Sequence, residues 1–282
     1  YNYFWDILEK SNLYLENIDR KKNEVHLLYW NRDLKDEDTT NMDRVTLHEF
    51  KCFQEDDVPK FFKIVNFLKF KRYAKNVFAE KFDFVIVMQS VPCVILSKQL
   101  LNKFKNKYIY DYRDFTYEDF SVYKRIIHKL VENSYKTFVS SDAFRKNLPK
   151  IENKILTVHN IIPGELEYFD NYKLIKENCG KIRVSFWGFI REKELNIQII
   201  KKFSSDDRFE LHYYGREQQI ANELRKFVNE QSLNNVFFHG EYKPEEKKEF
   251  ALNTDIIHNV YNDKQISLAM TNKYYDGVIF KR

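Results

Sequence analysis

Lys181–Gly188 (KIRVSFWG), Phe209–Gly215 (FELHYYG) and Asn235–Gly240 (NVFFHG) decide the fold class of this chain, because each ends an apolar run on a glycine and opens into a polar or amphipathic stretch of helical character. Short runs rich in aromatic and β-branched residues, with little alternation, belong to parallel strands covered on both faces. A glycine at the carboxyl end of such a strand lets the backbone turn sharply and lets a ligand approach closely. The repeated order of strand, glycine turn and helix predicts a doubly wound α/β sheet with a ligand-binding rim in the second half of the chain. All six glycines lie at or beyond Gly164, so the first half carries no glycine-rich phosphate loop.

The rest of the chain extends the pattern. Strands are expected at Glu24–Trp30, Arg44–Phe50, Phe82–Met88, Tyr108–Asp111, Thr137–Ser140 and Ile155–His159. Between them lie amphipathic segments at Pro59–Ala79, Val94–Phe104, Tyr117–Glu132 and Asp142–Leu148, and residues 1–17 read as helix. Asp57 and Pro59 supply a start signal for the helix that follows them. From Asn160 to Gly180 the periodicity fades around Pro163-Gly164. The second unit has helices near Glu192–Phe203, Arg216–Gln231 and Pro244–Leu252 and a fourth strand at Asp255–Val260. The organisation expected is an N-terminal Rossmann-like domain over 1–162, a linker over 163–180 and a C-terminal Rossmann-like domain over 181–282.

Composition narrows the function. The 282 residues carry 47 basic and 42 acidic side chains, a net charge of +5, which is no nucleic-acid footprint. An aromatic share of 17% is too rich for a disordered chain. No apolar stretch reaches the roughly 18–20 residues of a membrane helix. No leader is visible, and Cys52, Cys93 and Cys179 are scattered thiols without a CxxC, which suits a reducing, cytoplasmic setting.

Two short motifs carry candidate chemistry. Gly188-Phe189-Ile190-Arg191-Glu192-Lys193 follows a strand and opens a helix, whose free N–H groups and partial positive charge suit a phosphate, with Arg191 and Lys193 adding charge. An ordinary surface turn with solvated charges reads the same way. Asn272-Lys273-Tyr274-Tyr275-Asp276-Gly277 sets a lysine and a carboxylate three residues apart on one helical face, able to meet a phosphate and a ribose hydroxyl or to pair with each other.

Taken in order, these pieces, with HYYGRE, NVFFHGEY and TDIIHNVY between them, resemble the C-terminal domain of GT-B glycosyltransferases of the glycosyl transferases group 1 family over about residues 181–280. The resemblance implies a GT-B fold of two Rossmann-like domains facing across a cleft, and a retaining, metal-independent enzyme of capsule or other surface polysaccharide biosynthesis. It places the donor diphosphate on Gly188, Arg191, Lys193 and Lys273, and the donor ribose on Asp276. Gly215, Gly240, Tyr242 and Asn272 complete the implied donor site. The implied partners are a nucleotide-diphospho-sugar donor and a saccharide or lipid-linked saccharide acceptor, with no nucleic acid, resident cofactor or metal. The chain departs from the family at Leu268, which stands where the earlier of two glutamates is usual, and it lacks a glycine-rich acceptor loop. The family's closing strand and helices would follow beyond Arg282. The departures keep open a non-catalytic nucleotide-binding subunit or a GT-B nucleotide-sugar 2-epimerase.

On the acceptor side, Tyr110-Asp111-Tyr112-Arg113-Asp114 ends a strand. There Arg113 and Asp114 either hydrogen-bond the acceptor sugar, with Asp114 at the reacting hydroxyl, or pair to secure a loop. His128, His159 and His239 show no spacing that supports a hydrolase or a metal site. Lys60–Lys81 interleaves Phe61, Phe62, Phe67 and Phe70 with Lys63, Lys69, Lys71, Arg72 and Lys75, either as a sheet-covering helix or as a peripheral contact with the anionic inner face of the cell membrane.

Overall fold

The structure, a computed structural model, describes residues 14–32, 34, 42–54, 58–159, 180–215, 219–243, 246–262 and 271–281. It falls into two compact units. One comprises Tyr1–Tyr112, Thr116–Thr137 and Leu148–Ile155; the other comprises Arg113–Phe115, Phe138–Asn147 and Leu156–Arg282.

The chain opens with a parallel pair, β1 (Val25–Asn31) and β2 (Val45–Lys51). One face of this pair packs Leu15, Tyr29 and Met42 with Val25, Leu27, Val45 and Leu47. The period-two alternation sends His26, Leu28 and Trp30 to the opposite face. There α1 (Lys60–Val77) packs Phe67 and Phe70 against Trp30, at ring separations of 5.5 and 5.3 Å. Phe61, Phe62, Ile64 and Leu68 of the same helix are exposed, so its apolar residues divide between two faces rather than forming one stripe. Pro59 is the residue just before α1, while Asp57 lies outside the described residues.

A four-stranded sheet follows in the order β3-β4-β5-β6, made of Val85–Met88, Tyr108–Tyr112, Lys136–Val139 and Ile155–Thr157. The helix expected over Val94–Phe104 is two short ones, α2 (Ser90–Ile95) and α3 (Ser97–Asn102). The second begins directly after Leu96, whose backbone (φ −89°, ψ 5°) leaves the helical region. α4 (Ser121–Asn133) buries Ile127, Leu130 and Val131, and Asp142–Asn147 forms a 3-10 turn. The expected linker at 163–180, Gly180 apart, lies outside the described residues, as do residues 1–13 of the expected first helix.

The second unit matches the cadence that opened the reading. β7 (Ile182–Trp187), α5 (Lys193–Ser204), β8 (Phe209–Tyr214), α6 (Gln219–Glu230), β9 (Val236–Gly240), α7 (Lys247–Leu252), β10 (Ile256–Ile257) and α8 (Asn272–Ile279) follow in turn. The sheet runs β10-β7-β8-β9 with every pair parallel. Both faces of β7 are covered, while Phe237 and His239 of the edge strand β9 are exposed: Val184, Phe186, Leu211 and Tyr213 pack with Ile200 of α5 and Leu224 and Val228 of α6. Trp187 packs with Phe250 and Ala251 of α7 and with Ile279 and Phe280 near the end of α8. Cover on both faces is why the second half of β7 reads as a continuous apolar run, each buried large side chain contributing about 1.5–3 kcal/mol.

Candidate functional site

The carboxyl edge of the β10-β7-β8-β9 sheet is a row of glycines. Gly188 N–H donates to Tyr214 O at 2.9 Å and Gly215 N–H to Gly240 O at 2.7 Å, so the strand ends lie side by side. A Cβ on Gly215 would stand 2.1 Å from Gly188 O, a distance no side chain survives. Gly188 and Gly240 have φ of +104° and +82°, in the region that favours glycine. Gly215 therefore has a packing reason for its identity, and Gly188 a conformational one.

Beneath Gly188 lies Lys273, carried in by the first turn of α8 and buried. Its Nζ donates to Trp187 O at 2.9 Å and rests 4.1 Å from the centre of the Phe186 ring. That Nζ is 3.7 Å from where a Gly188 Cβ would be, so a side chain there would crowd it. Burial, against the opposing pull of Asp276 and joined by the Arg191 charge, lowers the Lys273 pKa to about 7. Arg191 is half-buried with its guanidinium 5.0 Å over the Phe189 ring, and its charge is felt at Lys273, so two cations converge on the Gly188 turn.

Asp276 is buried one turn along α8. Its Oδ2 accepts from Trp187 Nε1 at 2.7 Å and its Oδ1 pairs with Lys247 Nζ of α7 at 2.9 Å. Both oxygens thus have protein partners, and the carboxylate ties β7, α7 and α8 together. Lys193 pairs with Glu223 of α6 at 2.7 Å across an exposed surface. Glu192, just before α5, has a left-handed backbone, and its carboxylate accepts from Asn262 N at 2.9 Å, holding the segment after β10. Tyr242 sets its edge against Phe250 at 4.9 Å, and burial pushes its hydroxyl up to about 12. Asn272 is exposed at the start of α8.

Three residues of this neighbourhood escaped the sequence reading. Trp187 and Lys247 are the partners of Asp276, and neither stands near it in sequence. His258, after β10, is buried against Phe186 and Tyr213, with Nε2 3.4 Å from Asn196 Oδ1. Burial and the neighbouring Lys273 lower its pKa to about 4, so it is neutral at pH 7.

At the end of β4, Arg113 is buried, its carbonyl accepting from Ser140 Oγ at 3.3 Å, while Asp114 is exposed. Two buried carboxylates flank this turn: Asp111, which accepts from Tyr14 Oη at 2.9 Å, and Glu118, which accepts from Tyr112 Oη at 2.9 Å, Thr116 N at 2.6 Å and Ser90 Oγ at 3.4 Å. Glu118 secures the turn after β4.

No family model matches the chain, and no curated protein does. Solved structures do. Anabaena Alr3699/HepE in complex with UDP and glucose matches at 12% identity over 80% of this chain, with a TM-score of 0.51; the chain spans 63% of that structure's length. The same protein in complex with UDP-glucose matches at 11% identity over 85% of this chain and 75% of its own, again with a TM-score of 0.51. The lipopolysaccharide outer core galactosyltransferase WaaB in its apo form follows at 12% identity, over 78% of this chain and 60% of its own, with a TM-score of 0.49. At such identities the likeness speaks for the fold: the chain has the mixed α/β architecture, with Rossmann-like parallel sheets, of the GT-B glycosyltransferases.

Proposed function

We propose that this chain is a glycosyltransferase that moves a sugar from a nucleotide-diphospho-sugar to an acceptor hydroxyl. The observation that carries the reading is the buried Lys273 amine held beneath the Gly188 turn, with Arg191 close enough to depress its pKa. A buried amine whose charged form is disfavoured, at the carboxyl edge of a parallel sheet, is costly to folding and suits a ligand that brings negative charge. As the glycosidic bond breaks, the diphosphate leaving group gathers charge, and Lys273, Arg191 and the N–H groups opening α5 would stabilise it without a metal. HepE, the match with UDP and UDP-glucose in its complexes, makes a nucleotide-sugar the first ligand class to test. In this reading 181–282 is the donor domain and 1–162 the acceptor domain, with Asp114 and Arg113 at the acceptor. The product would be a surface polysaccharide such as capsule, built on a lipid-linked acceptor at the inner face of the membrane, and the exposed Phe61, Phe62, Ile64 and Leu68 of α1 support that location.

A second reading, a subunit that binds nucleotide without turnover, is favoured by Asp276, whose two oxygens are engaged by Trp187 and Lys247 rather than turned to a ribose. A thermal-shift screen of nucleotide-sugars, followed by release of free nucleotide with and without acceptor, separates the two. Ligand at one hundred times its dissociation constant stabilises the fold by about 2.7 kcal/mol. Binding with acceptor-dependent release supports the enzyme, binding without release supports the subunit, and no stabilisation by any nucleotide-sugar refutes both.

A further inference from the structure

The face of β1–β2 that packs on α1 carries two histidines in contact. β1 and β2 are paired with Leu28 opposite His48, which sets His26 and His48 diagonally on one face. His26 Nδ1 lies 2.8 Å from His48 Nε2, the rings stack at 13°, and the Phe82 edge locks the His26 ring from the side at 5.0 Å. Glu80, just past α1, brings Oε2 to 3.8 Å from the same Nδ1. The ligand atoms of His26, His48 and Glu80 all lie within 4.8 Å of one another.

Glu24 fixes the direction of the first imidazole. Its Oε1 lies 3.1 Å from His26 Nε2, and a carboxylate can only accept, so Nε2 carries the proton and the lone pair of the neutral ring is on Nδ1. That lone pair faces a second imidazole nitrogen and a carboxylate. A proton on His48 Nε2 accounts for the first contact and does nothing for the second. A divalent cation satisfies all three. In a tetrahedral zinc site, bonds of about 2.0–2.1 Å place ligand atoms about 3.3 Å apart, and the distances of 2.8 and 3.8 Å straddle that value. Glu24 then stands behind His26 as the carboxylate that orients a metal-bound histidine.

The second unit provides an internal contrast. Glu210, His212 and His239 repeat the arrangement on β8–β9: His212 Nδ1 is 3.0 Å from His239 Nε2, and His212 Nε2 is 3.4 Å from Glu210 Oε2. There Lys181 and Arg183 pair with Glu210 at 3.5 and 3.6 Å, and Tyr214 stacks on His239 at 4.2 Å. Among the described residues no third ligand group joins that pair. We propose that His26, His48 and Glu80 form a binding site for a divalent transition metal, with Zn²⁺ the ion that two imidazoles and a carboxylate suit best, whereas His212 and His239 share only a hydrogen bond. Three protein ligands leave a fourth position for water, and the ion would staple β1, β2 and the segment after α1.

The test uses tag-free full-length protein, stripped with EDTA, desalted and titrated with zinc sulfate against a chromophoric chelator, with the melting temperature followed in parallel. The result expected is one equivalent of zinc, a melting temperature raised by the metal, and affinity lowered at least tenfold in His48→Gln and Glu80→Gln. Glu24→Gln, which touches no metal, should weaken binding about ten- to a hundredfold, and His239→Gln should leave it unchanged. Glu80 is about half exposed, so Glu80→Gln keeps its metal-free melting temperature and reports on the site even if His48→Gln fails to fold. A parent protein that binds no stoichiometric zinc, or the same affinity in parent and Glu80→Gln, overturns the proposal. So does a loss in His239→Gln as large as that in His48→Gln.

Discussion

Lys273 makes the donor-site proposal measurable as a proton count. With its pKa held at about 7, the amine at pH 8 is mostly neutral in the free protein. A diphosphate beside it would return the pKa toward its ordinary value near 10.4, so binding must take up about 0.9 proton at pH 8, about 0.5 at pH 7 and about 0.1 at pH 6. Isothermal titration with a nucleotide-sugar in two buffers of different ionisation enthalpy reads this number directly. Lys273→Met should bind at least tenfold more weakly with uptake near zero. The same variant carries a stability signature. Because the folded pKa lies below the unfolded one, the unfolded chain binds more protons between about pH 7 and 10.5, and stability contributed by this group rises with pH across that window. At pH 7 the buried amine costs about 4 kcal/mol, partly offset by its bond to Trp187 O, so Lys273→Met should melt no lower than the parent at pH 7 and lose that advantage toward pH 10. Tight binding by the parent with no proton uptake at pH 8 would refute the placement of the diphosphate on Lys273.

Other expectations follow from the same geometry. Gly215→Ala should lower stability by about 1–3 kcal/mol or more in thermal melts, because its Cβ meets backbone rather than a flexible side chain; an unchanged melting temperature would contradict the packing role. Arg191→Ala should weaken nucleotide-sugar binding about ten- to a hundredfold without a change in fold, measured by titration and circular dichroism. Turnover at 25 °C should survive EDTA, with metal loss appearing only in the melting temperature; activity abolished by EDTA and restored by magnesium or manganese would overturn the assignment of leaving-group charge to Arg191 and Lys273. Replacing Lys63, Lys69, Lys71 and Lys75 by glutamine should reduce co-sedimentation with anionic vesicles at low salt, each lysine contributing about 1 kcal/mol.

The strand–glycine cadence made the sheet of the second unit legible because its central strands are largely buried, so their apolar runs are nearly continuous and end on residues with conformational or packing reasons to be glycine. Ends of elements were read less well. Leu96 breaks the expected Val94–Phe104 helix in two, and no proline or glycine marks the break. Pairings that depend on register or tertiary approach were invisible. Trp187 meets Asp276 across 89 positions, and His26 meets His48 across 22, through a diagonal that exists only once β1 and β2 are aligned. Lys193 looked equivalent to Arg191 in sequence, yet Glu192 between them has a left-handed backbone, and Lys193, the first residue of α5, pairs with Glu223.

The glycine row also limits how this edge can change. Gly188 and Gly240 resist replacement through their backbone angles and Gly215 through the Gly188 carbonyl, so three adjacent strand ends have no side chain with which to vary what they contact. New ligand preferences must therefore be written into the flanking segments: Phe189–Arg191, residues 259–262 after β10, and Asn272 and Tyr274, the exposed positions in the first turn of α8. A library that randomises those positions and leaves the three glycines fixed explores the specificity open to this fold, whereas one that includes the glycines fills itself with destabilised chains.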